Sequence, residues 1–232
     1  MDFNSIQALT FDCYGTLVDW ESGILEGLKP VFAAHHLQLP DEEALALYAE
    51  CEQAMEAGAY LTYREVLREV MRRIGQRLNF APTEVETNAL VASFPNWRPF
   101  PDTVAALRSL KTRYKLAIVS NVDDDLFAIT SRYLETPFDA VITAQQVGSY
   151  KPSHRNFEAA IARIGLPRTG ILHVAQSLYH DIVPAQELGL AHVWVTRRKG
   201  KTASGPTLHT DIKPELEVPD MKSLVLLLGL EA

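Results

Sequence analysis

Leu9-Thr10-Phe11-Asp12-Cys13-Tyr14-Gly15-Thr16-Leu17 is an apolar run that ends on a carboxylate and then turns at a glycine. Residues 6–11 are too few for a stable helix, and their apolar, bounded character fits a buried parallel strand. Asp12 therefore stands at the carboxyl end of a strand. Similar runs recur at residues 115–119, 140–143, 171–175 and 192–196, and amphipathic stretches at 124–134, 155–164 and 182–188 alternate with them. That alternation predicts an α/β protein built on a doubly wound, Rossmann-like parallel sheet. Between the first two strands lie about a hundred residues without a strand signal, far more than a βα connection needs. Helical periodicity at 22–35, 41–57, 63–78 and 83–93, with Asp41 and Thr83 as N-caps, makes this stretch a helical insert. The expected division is a core of residues 1–19 and 97–232 and an inserted helical domain of residues 20–96. Pro99-Phe100-Pro101-Asp102 marks the return to the core, and residues 200–214 form a polar loop.

A net charge of −7 argues against a nucleic-acid surface, so any anionic ligand needs local positive charge. No apolar run approaches bilayer-spanning length, and the start Met1-Asp2-Phe3-Asn4-Ser5 lacks the basic and apolar character of a secretory signal. A cytoplasmic location away from membranes is expected. Cys13 and Cys51 show no metal-ligand spacing, and both are expected to stay reduced.

In an open α/β sheet, ligands bind beyond the carboxyl ends of the strands. Polar residues stand there after four of the strands: Asp12, Ser120-Asn121, Lys151 and Asp181. A carboxylate placed like Asp12 can attack an electrophilic carbon or phosphorus, although a turn-capping Asp has the same local appearance. Lys151 can neutralise that carboxylate or be a solvated lysine; Ser120 and Asn121 can hold an anion or cap a helix. Asp181 can orient Lys151 or a water, or cap the helix that follows it. Asp123, Asp124 and Asp125 read as acids serving a helix dipole more than as metal ligands. Trp20, Tyr60, Trp97 and Phe100 read as packing at the insert junction, with an apolar pocket as the alternative.

Taken in order, Asp12 with Tyr14-Gly15-Thr16-Leu17, then Ser120-Asn121, then Lys151-Pro152, then the stretch from Ser177 to Asp181 resembles the four motifs of the haloacid dehalogenase (HAD) superfamily. The helical insert resembles that family's cap domain. The first motif is similar to that of the L-2-haloacid (type II) dehalogenases. Superfamily phosphatases carry a second Asp two residues after the nucleophile, where Tyr14 stands. A tyrosine, with a pKa of about 10, is a poor substitute for a carboxyl general acid. They also open the fourth motif with Gly-Asp, where Ala175-Gln176 stands, and a neutral amide is a weaker magnesium ligand than a carboxylate.

The resemblance thus implies an (S)-2-haloacid dehalogenase-like hydrolase that needs no cofactor. Asp12 would displace halide from C2 of a small haloalkanoic acid with inversion, and water would cleave the resulting ester. Lys151, Asp181 and Ser177 would be catalytic, with Asp181 positioning the water; Tyr14, Thr16, Ser120, Asn121 and His180 would bind substrate. Expected partners are the small carboxylate substrate and, from the resemblance alone, a second copy in a homodimer. The alternatives are a HAD-type phosphatase with an altered magnesium site and a non-catalytic protein on the same scaffold. Phe157 stands where the haloacid enzymes place a tyrosine, the stretch before Asp181 is one residue longer than theirs, and their early cap arginine has no counterpart around Leu47-Tyr48-Ala49. His180 is the candidate to contact halide or polarise water in its place.

Overall fold

A computed structural model describes residues 3–197 and 210–231. In chain order, β1 (Ala8–Phe11) leads through the Asp12 loop to β2 (Val18–Asp19) and then to five helices: α1 (Trp20–Ala34), α2 (Asp41–Glu56), α3 (Tyr63–Arg77), α4 (Glu84–Thr87) and α5 (Ala89–Ser93). The chain returns through β3 (Arg98–Pro99), which pairs antiparallel with β2, so that the insert leaves and re-enters the core on one short ribbon. The core continues with α6 (Thr103–Lys111), β4 (Lys115–Ser120), α7 (Asp124–Leu134), β5 (Ala140–Thr143), α8 (Ala144–Val147), α9 (His154–Ile164) and β6 (Ile171–Ala175). A π-helical turn at Leu178–Ile182 then runs into α10 (Val183–Glu187), β7 (Ala191–Val195), β8 (Glu217–Val218) and α11 (Met221–Leu227).

The sheet order is β5-β4-β1-β6-β7-β8, and all its pairs are parallel. The chain leaves β1 toward β4 on one side and later returns to pair β6 on the other. The carboxyl end of β1 is thus the crevice where the order reverses. Strand alternation sends Leu9 and Phe11 into one core layer and Ala8 into the other, with Ala117, Val119 and Ile171. Thr10 follows Ala8 and pairs in register with His173.

The insert's helices start where their caps stand. Thr62 and Glu65 form a reciprocal capping box before α3, and Thr83 and Glu86 form another before α4. Asp41 is not an N-cap: Pro40 holds that position without a side-chain bond, and Asp41 lies in the first turn, paired with Lys29 at 2.8 Å. The helix expected at 83–93 is broken at Asn88, whose Nδ2 donates to the Glu84 carbonyl at 2.9 Å while its Oδ1 accepts from Arg68. A side-chain amide that competes for the backbone interrupts the ladder. Gly23 is required by close approach, because a Cβ there would lie 2.2 Å from Trp97 Cδ1.

The expected loop at 200–214 falls in part outside the described residues; from Thr210 to Pro214 the chain is without regular structure. Among the described residues, no helix is long and apolar enough to cross a membrane.

Candidate active site

Asp12 follows β1 directly, and Gly15, with φ of +93°, lets the chain turn back over it; a Cβ at that glycine would meet Trp20 Nε1 at 2.9 Å. Both carboxylate oxygens are engaged. Asp12 Oδ1 accepts from Lys151 Nζ at 2.8 Å, and Oδ2 accepts from Thr16 Oγ1 at 2.7 Å. Burial, helped by the charge of Asp181, holds the Asp12 carboxyl above its ordinary value, and Lys151 and Thr16 offset only part of that. Two oxygens that both accept describe the ionised form.

Lys151 Nζ also donates to Asp181 Oδ1 at 2.7 Å, and the ammonium is 2% exposed. Burial opposes its charge, but the two carboxylates outweigh burial and hold the ammonium above its usual range. Against the same burial, Lys151 and His173 hold the Asp181 carboxyl below the usual range. Asp181 Oδ1 accepts from His173 Nε2 at 3.0 Å, and His173 Nδ1 meets Thr10 Oγ1 at 2.8 Å. Since an ionised carboxylate only accepts, His173 Nε2 carries the proton. Asp181 is therefore no helix cap. It lies inside the π-helical turn, which Ser177 caps, and its Oδ2 is buried with no partner among the described residues.

Asn121 fixes the lysine's loop at both ends of its amide: its Oδ1 accepts from Lys151 N at 2.7 Å, and its Nδ2 donates to the Lys151 carbonyl at 3.1 Å. Thr16 likewise positions the site without facing the cavity, since its hydroxyl is spent on Asp12 and accepts from Gln176 N at 2.8 Å. Tyr14 turns its hydroxyl away to Thr130 at 2.9 Å, packs its ring against Phe94 and Trp97, and offers only that ring as wall. Ser120 Oγ is buried with no partner among the described residues, and Ser120 lines the cavity. Ser177 Oγ meets His180 Nδ1 at 3.1 Å, and burial lowers the His180 pKa to about 4, so the ring is neutral at neutral pH.

The cavity above Asp12 measures about 50 Å³. With roughly 10–15 Å³ needed per water, it holds a ligand of only a few heavy atoms. Its insert wall is formed by Trp20, Glu52, Glu56 and Tyr63. Glu52 Oε1 accepts from the hydroxyls of Tyr48 at 2.6 Å and Tyr63 at 2.7 Å. Sequence reasoning missed Glu52, Glu56, Tyr63 and His173; Glu52 and Glu56, four residues apart, look like an ordinary solvated helix face. Of the four aromatic residues at the insert junction, Trp20 lines the cavity. Trp97 is core, Tyr60 lies against Tyr150, and Phe100 lies under Arg197.

Asp123 differs from its expected role. Its carboxylate accepts from the backbone N–H groups of Tyr63 at 2.9 Å and Arg64 at 3.0 Å. It caps the insert helix α3 across the junction, not its own helix α7. Asp125 pairs with Arg64, and Asp124 accepts from Thr143 and Gln146.

Magnesium fits these residues poorly. The two carboxylates that would hold it share an ammonium between them, and the next residue of the motif is the neutral Gln176. No cluster of three or more His, Cys, Asp or Glu side chains suited to a metal occurs among the described residues.

Comparison with known proteins agrees with this architecture. An (S)-2-haloacid dehalogenase of Pseudomonas fluorescens is 25% identical over 201 residues, covering 84% of this chain and 87% of that protein. One of Pseudomonas putida is 28% identical over 198 residues, covering 83% and 87%. The crystal structure of an L-2-haloacid dehalogenase superposes with a TM-score of 0.80 at 25% identity, covering 97% of this chain and 99% of that one. The family profile of the haloacid dehalogenase-like hydrolases matches residues 6–189. The chain belongs to the haloacid dehalogenase-like hydrolases.

Proposed function

We propose that this hydrolase removes halide from a small 2-haloalkanoic acid, without a metal, through an ester on Asp12. The observation that carries this reading is an Asp12 at the floor of the cavity whose two oxygens both accept hydrogen bonds, beside a Tyr14 whose hydroxyl is committed elsewhere. A phosphoryl group leaving on oxygen needs a proton donor at that place, whereas a halide does not. The (S)-2-haloacid dehalogenases among its relatives support the same choice.

An Asp12 carboxylate oxygen attacks C2, the carbon–halogen bond breaks with its electron pair on the halide, and an ester joins C2 to Asp12. Ser120 Oγ and the Lys151 ammonium hold the substrate carboxylate. A water then attacks the ester carbonyl, helped by the unpartnered Asp181 Oδ2, and the 2-hydroxy acid leaves with an oxygen that came from Asp12. Asp181 holds its orientation through Lys151 and His173. His180 lies beside the reacting centre as a neutral ring able to orient that water.

Halide release from 2-chloropropionate is expected to persist in EDTA and to vanish in Asp12→Asn. Single-turnover hydrolysis in heavy-oxygen water is expected to label Asp12. Magnesium-dependent phosphate release from small phosphoesters, with no halide release, would overturn the reading. An unimpaired rate in His180→Ala would remove that residue from it.

A further inference from the structure

In-line displacement places the leaving group on the side of C2 opposite the attacking oxygen. Asp12 attacks from the core, so the halide departs toward the insert wall of Trp20, Glu52, Glu56 and Tyr63. Among the described residues that wall holds no Lys or Arg, and the one ammonium lining the cavity, Lys151, is already shared by Asp12 and Asp181. The buried Glu52 carboxyl and the largely covered Glu56 carboxyl therefore face the place where an anion forms. Ionised, they would repel it.

The two acids are not equivalent. Burial pushes the Glu52 carboxyl up from its ordinary value, but it accepts from two phenol hydroxyls, which oppose that push and favour its charge. Glu56, one turn further along α2, receives only the Asn121 amide at 3.3 Å, and His180 Nε2 stands 3.9 Å from the same Oε2. We propose that Glu56 works as a protonated carboxyl that donates a hydrogen bond to the departing halide, which makes it a further catalytic residue of the dehalogenase reading on which this inference rests. The proton stays on Glu56 throughout, and the electron pair of the broken bond leaves on the halide. Fluoride gains most, being the strongest hydrogen-bond acceptor among the halides.

The surroundings agree. Burial pushes the Glu56 carboxyl well above the ordinary range, and the charge of Glu52 adds to that; Lys151 and the Asn121 amide oppose it. The other titratable groups facing it are Asp12 and Asp181, whose charges Lys151 shares, the neutral His180, and Tyr150, whose hydroxyl donates to the Leu61 carbonyl.

The test compares fluoroacetate with bromoacetate across pH for the wild type, Glu56→Gln and Glu56→Leu. The wild-type kcat/KM is expected to fall as pH rises through the Glu56 titration. Glu56→Gln, which keeps a donor of nearly the same shape, is expected to lose a smaller part of the rate and to lack that alkaline fall. Glu56→Leu is expected to lose about 10–100-fold on fluoroacetate and much less on bromoacetate. Equal losses for both halogens, an unchanged alkaline fall in Glu56→Gln, or a wild type that releases bromide but no fluoride overturns the inference and leaves the dehalogenase reading standing. A wild type that releases neither halide overturns both.

Discussion

Lys151 is a buried cation whose ion-pair partners among the described residues are Asp12 and Asp181. Removing one partner of such a group leaves the others uncompensated, at a cost of about 3–5 kcal/mol. Lys151→Ala is expected to lose that much stability at neutral pH in urea unfolding, together with all halide release. The stability loss should shrink in acid: without the ammonium both carboxyls have folded pKa values above their unfolded ones, so the penalty grows only as pH rises. An equal loss at pH 4 and pH 8 would show that the lysine acts by packing alone. Asp12, Lys151 and Asp181 were legible in the sequence because each follows an apolar strand at the crevice of an open sheet. His173 was not. It sits inside the apolar run Ile171-Leu172-His173-Val174-Ala175, and only the register that sets it beside Thr10 shows that its ring reaches Asp181. Glu56 was hidden for the opposite reason, since an acid at the end of an acidic helix reads as surface until the tertiary fold covers it.

Strands of four to six residues were read nearly to their ends, because continuous apolar character survives small errors in boundary. The two-residue pairs β2, β3 and β8 have no period to read, and tertiary contact alone makes them. Helices α1, α2 and α3 were legible to within a few residues, whereas the contact that joins α3 to the core was not. Asp123 belongs to the core and satisfies two amides in the first turn of α3, which an α-helix leaves without intrahelical partners. It therefore couples closure of the insert over Asp12 to an ordinary capping interaction. Asp123→Ala is expected to destabilise the fold by about 1–2 kcal/mol and to speed hydrogen exchange at Tyr63 and Arg64 before the core strands are affected. It should raise KM more than it lowers kcat, because the loss falls on assembling the cavity. Exchange at Tyr63 that is unchanged in the variant would refute the coupling.

Across the whole molecule, the insert and the core meet on buried and partly buried titratable groups, so folding is linked to pH from both sides. On the acid side, the His180 ring titrates at about 4 in the folded chain and near 6.5 when unfolded. The unfolded chain then binds the extra proton, and stability that is full above the unfolded value is lost as pH falls. Asp181, whose carboxyl is held low, acts in the same direction below the ordinary carboxylate range. Glu56 acts in reverse: its folded pKa lies above the unfolded value, so its contribution is full in acid and is lost as pH rises toward the folded value. Glu56→Gln removes that second limb and leaves the first. The variant should match the wild type in stability near pH 4 and gain on it with rising pH, by at most about 1.4 kcal/mol per pH unit until the folded Glu56 pKa is reached. Thermal unfolding of the two proteins from pH 4 to pH 9 measures this directly. A difference in Tm that stays constant over the range would mean that Glu56 carries no proton in the folded chain, and the hydrogen bond assigned to it at the halide would fall with that result.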